Sequence, residues 1–202
     1  MNILILGGRQ ACRPELSDGK SYVAQFARRL QAGGQPVQID CRFVSLSEAG
    51  GLLPRLRLAE YDLILLQFDL PVNWLPAKPA DRLLMEIKLC LNGHRAARLN
   101  ALRTQLAHVL LQVRVFNRQV VLLSPLPHRR ALEQWFLARA EAVHAQESRE
   151  WQVPFFNVRR HLPGGDELFQ PGSDHHLSAV AHELLASELH TFITEPTFTL
   201  WP

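Results

Sequence analysis

The run Leu63-Ile64-Leu65-Leu66 contains no polar side chain. Side chains of a strand point alternately to the two faces of its sheet, so a strand with one wet face alternates in polarity. A run without alternation fits a strand covered by helices on both faces, as in a parallel sheet. Ile3 to Leu6, ending at Gly7-Gly8, and Val120 to Leu123, ending at Ser124-Pro125, have the same texture. Val37 to Val44 and Val153 to Phe156 are less uniform and give two more strands.

Helical patterns separate these runs. From about Ser21 to Gln31, Tyr22, Val23, Phe26 and Leu30 recur at helical spacing, with Ser17 or Asp18 as the cap and Gly33-Gly34 as the stop. A short helix precedes Tyr61, and a long helical stretch over 80–116 breaks at Asn92-Gly93. Further helices cover 130–146 and 177–190, the last with Leu177, Val180, Ala181, Leu184 and Leu185 on one face. The alternation predicts a three-layer α/β/α domain around a five-stranded parallel sheet, flavodoxin-like in architecture. That domain takes in residues 1–195, and 196–202 form a tail that packs through Phe198 and Trp201.

A chain of 202 residues is long enough for one such domain to bury well over half of its unfolded surface. Hydrophobic residues at 47% and charged residues at 20% exclude a disordered chain. A net charge of +3, without a basic helix carrying interleaved aromatics, argues against nucleic acid as a partner. Arginine outnumbers lysine, which suits carboxylate and phosphate recognition, although a GC-rich genome gives the same bias. Cys12, Cys41 and Cys90 lie far apart, without metal or redox spacing, and their odd number suits a reducing compartment. The opening apolar run is too short for a signal sequence or a membrane span. The expected setting is the cytoplasm, with no membrane partner and no cofactor.

Ligands of open α/β sheets bind at the carboxyl ends of the strands, so the residues just after each run are the candidates. Gly8, Arg9, Cys12 and Arg13 follow the first; Gln67, Asp69 and Asn73 follow the third. Ser124, His128, Arg129 and Arg130 follow the fourth; Asn157, Arg159, Arg160 and His161 follow the fifth. Asp174-His175-His176 opens the last helix. Taken singly, Arg129, Arg130, Arg159 and Arg160 read as solvated residues in surface pairs. Taken together, and with Arg9 directly after Gly7-Gly8, they suit an anion such as a carboxylate, phosphate or sulfate. No metal is expected, because adjacent histidines do not readily face one ion and no second ligand pair matches them.

The closing stretch Leu168-Phe169-Gln170-Pro171-Gly172-Ser173-Asp174-His175-His176-Leu177-Ser178 resembles the last motif of the SGNH (GDSL-type) hydrolases. In that family an aspartate and a histidine lead into the final helix, and His176 stands at the position of the catalytic base. Tyr61-Asp62-Leu63-Ile64-Leu65-Leu66 is similar to the strand before the asparagine block, and Val120 to Pro127 to the fourth strand and its exit. Ser21-Tyr22-Val23-Ala24 looks like the start of the first helix. The resemblance runs along nearly the whole chain and implies acyl transfer. A serine attacks an ester, a histidine takes its proton, and an aspartate orients the histidine. The serine amide, a glycine amide and an asparagine side chain hold the oxyanion.

The family pattern is broken in three blocks. Where the family has Gly-Asp-Ser, this chain has Gly7-Gly8-Arg9, and arginine is no nucleophile. No glycine stands between Phe43 and Ser47, and Asp69-Leu70-Pro71-Val72-Asn73 replaces Gly-x-Asn-Asp. Ser173 lies three residues before His176, and Asp174 only two. Ser17 and Ser21 read more simply as helix starts, Ser124 as a turn, and Cys12 as a buried cysteine whose neighbouring arginines favour the thiolate. The expected catalytic residues are therefore His176 and Asp174. The expected substrate contacts are Gly8, Arg9, Cys12, Arg13, Asp69, Asn73, His128 and Arg159. Two functions stay open: an esterase or acyltransferase with Arg9 in place of the serine, or a non-hydrolytic protein that binds an anionic ligand or a protein partner, repurposed in a biosynthetic pathway.

Overall fold

A computed structural model gives the fold and describes residues 1–12, 19–34, 36–69, 94–117, 119–129, 131–162 and 165–195. The strands are β1 (Asn2–Gly7), β2 (Gln38–Phe43), β3 (Leu63–Gln67), β4 (Val120–Leu123) and β5 (Phe155–Phe156). They form one sheet in the order β2-β1-β3-β4-β5, and every neighbouring pair is parallel. The α/β architecture read from the unbroken apolar runs is the one observed. β3 is central and buried at every position, whereas the edge strand β2 is half-exposed and carries Asp40 and Arg42.

Alternation along the strands divides the core in two. Ile3, Ile5, Leu63, Leu65, Val121 and Leu123 pack towards α2 (Tyr22–Ala32) and α7 (Ala179–Thr194), which also pack on each other. Leu4, Leu6, Ile64, Leu66, Val120 and Leu122 pack towards α3 (Leu46–Leu52), α4 (His94–Phe116) and α5 (Ala131–Glu150). Each fully buried aliphatic side chain of this kind stabilises the fold by roughly 1.5–3 kcal/mol. On the second face, buried Glu147 of α5 accepts from Arg103 Nε of α4 at 2.6 Å. Two short helices, α1 (Arg9–Cys12) and α6 (Val158–His161), lead away from β1 and β5.

Some boundaries differ from the sequence reading for identifiable reasons. Ser21 caps α2, its hydroxyl accepting the Ala24 N–H at 3.2 Å; Ser17 and Asp18 lie outside the described residues. Gly33 ends that helix, and Gly34 turns the chain with φ of 87°. Ser178 caps α7, whose buried stripe is Ala181, His182, Leu185, Ala186, Leu189 and Ile193, while Val180 is exposed. His182 tolerates burial because its Nδ1 accepts the Tyr22 N–H at 3.1 Å and its ring stacks on Tyr22. The stretch 80–93 and the tail 196–202, with Cys90, Phe198 and Trp201, lie outside the described residues.

The cysteines require a correction. Cys12 of α1 and Cys41 of β2 form a disulfide with Cα atoms 5.4 Å apart, so they are not the unpaired thiols read from the sequence. Among the described residues, no helix is long and apolar enough to cross a membrane.

Candidate active site

The chain leaves β1 towards β2 on one side, and β3 lies on the other, so ligands are expected where the ends of β1 and β3 part. Gly8 follows β1 there, and its N–H donates to the Gln67 carbonyl at 2.9 Å. Asp69 follows β3. Its Oδ2 accepts the Arg9 N–H at 3.0 Å, and its Oδ1 accepts from Gln67 Nε2 at 3.2 Å. A Cβ on Gly8 would lie 1.8 Å from Asp69 Oδ2, so glycine is what leaves room for this carboxylate.

Asp69 is exposed as a residue, yet its carboxylate is crowded on the Gly8 side, and desolvation there pushes its pKa up. The hydrogen bonds from Gln67 and the Arg9 N–H, and the charges of His175 and Arg9, oppose that rise. The Tyr22 phenol is also raised, first by its own burial and then by the charge of Asp69, so it stays neutral. Gln67 is fully buried, and its Oε1 accepts no hydrogen bond within the protein.

The histidine loop is fastened to the end of β1 by Gln10. Its Oε1 accepts the Leu177 N–H at 3.0 Å, and its Nε2 donates to the His175 carbonyl. Ser173 Oγ accepts the His176 N–H at 2.9 Å, and the Arg129 N–H donates to the Asp174 carbonyl at 2.7 Å. These bonds gather three imidazoles: His175 lies 4.0 Å from His176 and stacks on His128 at 5.8 Å, centroid to centroid. His175 is exposed and its charge acts on Asp69, whereas His176 is half-buried with Nε2 shut off from solvent. Sequence reasoning chose His176 from the motif spacing and left His175 out of the catalytic set.

The remaining candidates have these surroundings. The charge of Asp174 acts on the Arg129 guanidinium, which itself pairs with Asp166 at 2.9 Å. Arg159 stands 3.7 Å from Glu141 and lines, with His128, a neighbouring cavity. Cys12 is bonded to Cys41, and a disulfide sulfur is neither a thiolate nor a substrate-binding thiol. Arg13, Asn73 and Arg130 lie outside the described residues. His161 stacks on Phe156 and pairs with Glu188, a structural position.

The nearby serine hydroxyls of the described residues have structural tasks. Ser124 Oγ accepts the Val158 N–H at 3.0 Å, Ser21 and Ser178 cap helices, and Ser173 holds the histidine loop. Among the described residues, no group of three His, Cys, Asp or Glu side chains is arranged to hold a metal ion.

Neither a family model nor a curated protein sequence matches the chain. Solved structures do. TesA superposes with a TM-score of 0.70 at 14% identity, covering 98% of this chain and 99% of that one. An acetylxylan esterase from Geobacillus stearothermophilus gives 0.69 at 14% identity, covering 96% and 94%. A protein of the G-D-S-L lipolytic family from Desulfitobacterium hafniense DCB-2 gives 0.65 at 9% identity, covering 94% and 97%. With the parallel sheet, its strand order and a histidine loop at the carboxyl edge, these superpositions show that the chain has the SGNH/GDSL hydrolase fold.

Proposed function

We propose that this protein hydrolyses an ester, or passes its acyl group to an acceptor hydroxyl, at the ends of β1 and β3, with Asp69 activating the attacking oxygen in place of a nucleophilic serine. The observation that carries this reading is the setting of the Asp69 carboxylate. It is held over Gly8 by the Arg9 N–H and Gln67, with His175 acting on it.

In this reading a water donates one hydrogen to Asp69, which turns a lone pair to the ester carbonyl. Asp69 takes the proton as the carbon–oxygen bond forms, and a pKa raised by desolvation makes it a stronger base than an ordinary carboxylate. The N–H groups of Gly8 and Arg9 are already spent on Gln67 and Asp69. The oxyanion therefore falls to the exposed Arg9 guanidinium. When the tetrahedral species collapses, protonated His175 gives its proton to the departing alkoxide and recovers one from Asp69. His176, packed against His175, positions that ring.

The test is hydrolysis of p-nitrophenyl acetate by the wild type, Asp69→Asn, His175→Ala and His176→Ala. Asp69→Asn is expected to lose about 10²–10⁴-fold in rate, the usual contribution of a general base. His175→Ala is expected to lose more than His176→Ala, and no burst of p-nitrophenol is expected. Full activity in Asp69→Asn, or a burst from an acyl-enzyme, sinks the reading.

A second reading, anion binding without turnover, is favoured by one observation: both backbone N–H groups are spoken for while the Arg9 guanidinium is exposed. It expects no ester turnover, and a melting temperature raised by phosphate, sulfate or small carboxylates in the wild type but not in Arg9→Ser.

A further inference from the structure

A cavity of about 270 Å³ opens beside the histidine rings, between the loop after β4, α6 and the segment 165–169. Its floor is apolar, with Leu137, Leu162, Leu168 and Phe169 all buried. Its rim carries His128, Arg129, Arg159 and Asp166. The volume falls just below the roughly 300–1,000 Å³ of sites for drug-sized ligands, so a fragment-sized group fits.

The two arginines on the rim are not equivalent. Arg129 meets Asp166 through two contacts of 2.9 Å, a bidentate pair that uses its fork. Arg159 stands 3.7 Å from Glu141 Oε2, beyond hydrogen-bond reach, and that oxygen is buried and accepts no hydrogen bond. Glu141 thus steers the Arg159 guanidinium without engaging its donors. Glu141 is not part of the lining, where two guanidinium groups face one carboxylate. Glu141 balances the Arg159 charge from outside the lining, so what the rim offers a ligand above the apolar floor is the Arg159 donors rather than a net charge.

We propose that this cavity is a binding subsite for a compact apolar group ending in a carboxylate, with the carboxylate on Arg159 and the chain over Leu137 and Phe169. His128 joins the subsite to the reacting centre, because it lines the cavity and stacks on His175. Only the identity of the substrate rests on the hydrolase reading: it is then an acidic ester, such as the half-ester of a small dicarboxylic acid. A carboxylate there gains charge-assisted hydrogen bonds from Arg159 that an uncharged amide of the same length does not.

The experiment is calorimetric titration of hexanoate, hexanamide and acetate into the wild type, Arg159→Gln, Leu137→Phe and Asp69→Asn, with circular dichroism to verify folding. Hexanoate is expected to bind the wild type about tenfold or more tightly than hexanamide, through the charge, and more tightly than acetate, through the floor. Arg159→Gln is expected to lose that preference over hexanamide. Leu137→Phe, which fills the floor and leaves the charge alone, is expected to weaken hexanoate. Asp69→Asn is expected to bind hexanoate like the wild type. Equal affinity for hexanoate and hexanamide, unchanged hexanoate binding in Arg159→Gln, or no binding to the wild type overturns the subsite. If hexanoate binds through Arg159 while no ester is turned over, the hydrolase reading falls and the subsite stands. If esters are turned over and Arg159→Gln changes nothing, the subsite falls alone.

Discussion

The Asp69 carboxylate occupies the space that a side chain on Gly8 would fill: a Cβ there would lie 1.8 Å from Oδ2, the oxygen that accepts the Arg9 N–H at 3.0 Å. Gly8 and Asp69 therefore form one arrangement. Position 8 gives up its side chain, and β3 supplies a carboxylate to the end of β1. The backbone N–H at position 9 is spent on that carboxylate.

Alanine at Gly8 and alanine at Gly7 are expected to do damage of different kinds. At Gly8 the new methyl meets the end of a short side chain that swings aside, so stability falls by no more than about 1 kcal/mol. Asp69 then leaves the Arg9 N–H, and ester hydrolysis falls about tenfold or more. At Gly7 the methyl meets the Gln67 backbone oxygen at 2.5 Å, inside the β1–β3 pairing, where nothing swings aside. That overpacking costs about 1–3 kcal/mol. Urea unfolding and p-nitrophenyl acetate rates on the two variants check the contrast; equal losses of stability remove it.

In the hydrolase reading the pH dependence of kcat/KM derives from Asp69. A general base works ionised, so the rate falls as pH drops through its pKa, and desolvation sets that limb above the usual carboxylate range. The Arg9 charge holds the pKa down, so Arg9→Met is expected to move the limb to higher pH. For stability the sign is opposite to that of a salt-bridged aspartate. A raised folded pKa means the native state holds its proton longer than the unfolded chain, and stability falls as pH rises through that window. Asp69→Asn is thus expected to melt no lower than the wild type at neutral pH while losing its activity. An acid limb that Arg9→Met leaves in place contradicts the assignment.

Legibility in the sequence tracks burial. β1, β3 and β4 are covered on both faces, and their unbroken apolar runs announce them. β5 shrinks to Phe155–Phe156 and β2 is half-exposed, because edge strands need no continuous apolar run. The last helix lies one step out of phase with its hydropathy pattern. Hydropathy places valine inside and histidine outside, yet Val180 is 65% exposed and His182 is buried. Its stabilising partner, the Tyr22 N–H, is 160 residues away, and no local pattern contains it. Gly8 and Asp69 are both legible as edge residues, but their contact is not, since it depends on the pairing of β1 with β3. The fastening of the histidine loop depends on Gln10, 165 residues upstream of the carbonyl it holds.

Acid sensitivity is expected from two buried histidines. Burial pushes both His144 and His182 down to about 4. Below pH of about 6.5 the unfolded chain binds protons that the native state refuses, so stability falls with pH until the native residues protonate near 4. Each contributes a loss of about 2 kcal/mol between pH 7 and 5. His182→Leu is expected to reduce that slope, and to cost about 1–3 kcal/mol at pH 7 because the Tyr22 N–H loses its acceptor. Urea unfolding of wild type and variant at pH 7 and 5 gives both quantities, and parallel pH slopes rule out His182 as a source.

The disulfide makes the last prediction, because it joins the fold to the site. Cys12 closes α1, a four-residue helix whose Gln10 holds the histidine loop by two hydrogen bonds. A cross-link between residues 29 apart restricts the unfolded chain by about 3–4 kcal/mol in the loop-entropy account. Dithiothreitol is expected to lower the wild-type melting temperature and, by freeing one end of α1, to slow ester hydrolysis. The double variant Cys12→Ala/Cys41→Ala is expected to start at the lower values and to ignore the reductant. Wild-type protein that melts and reacts alike with and without reductant would mean that the two sulfurs pack as neighbours. α1 would then be held by Gln10 and the end of β1 alone, and Gln10→Ala would become the substitution that releases the histidine loop.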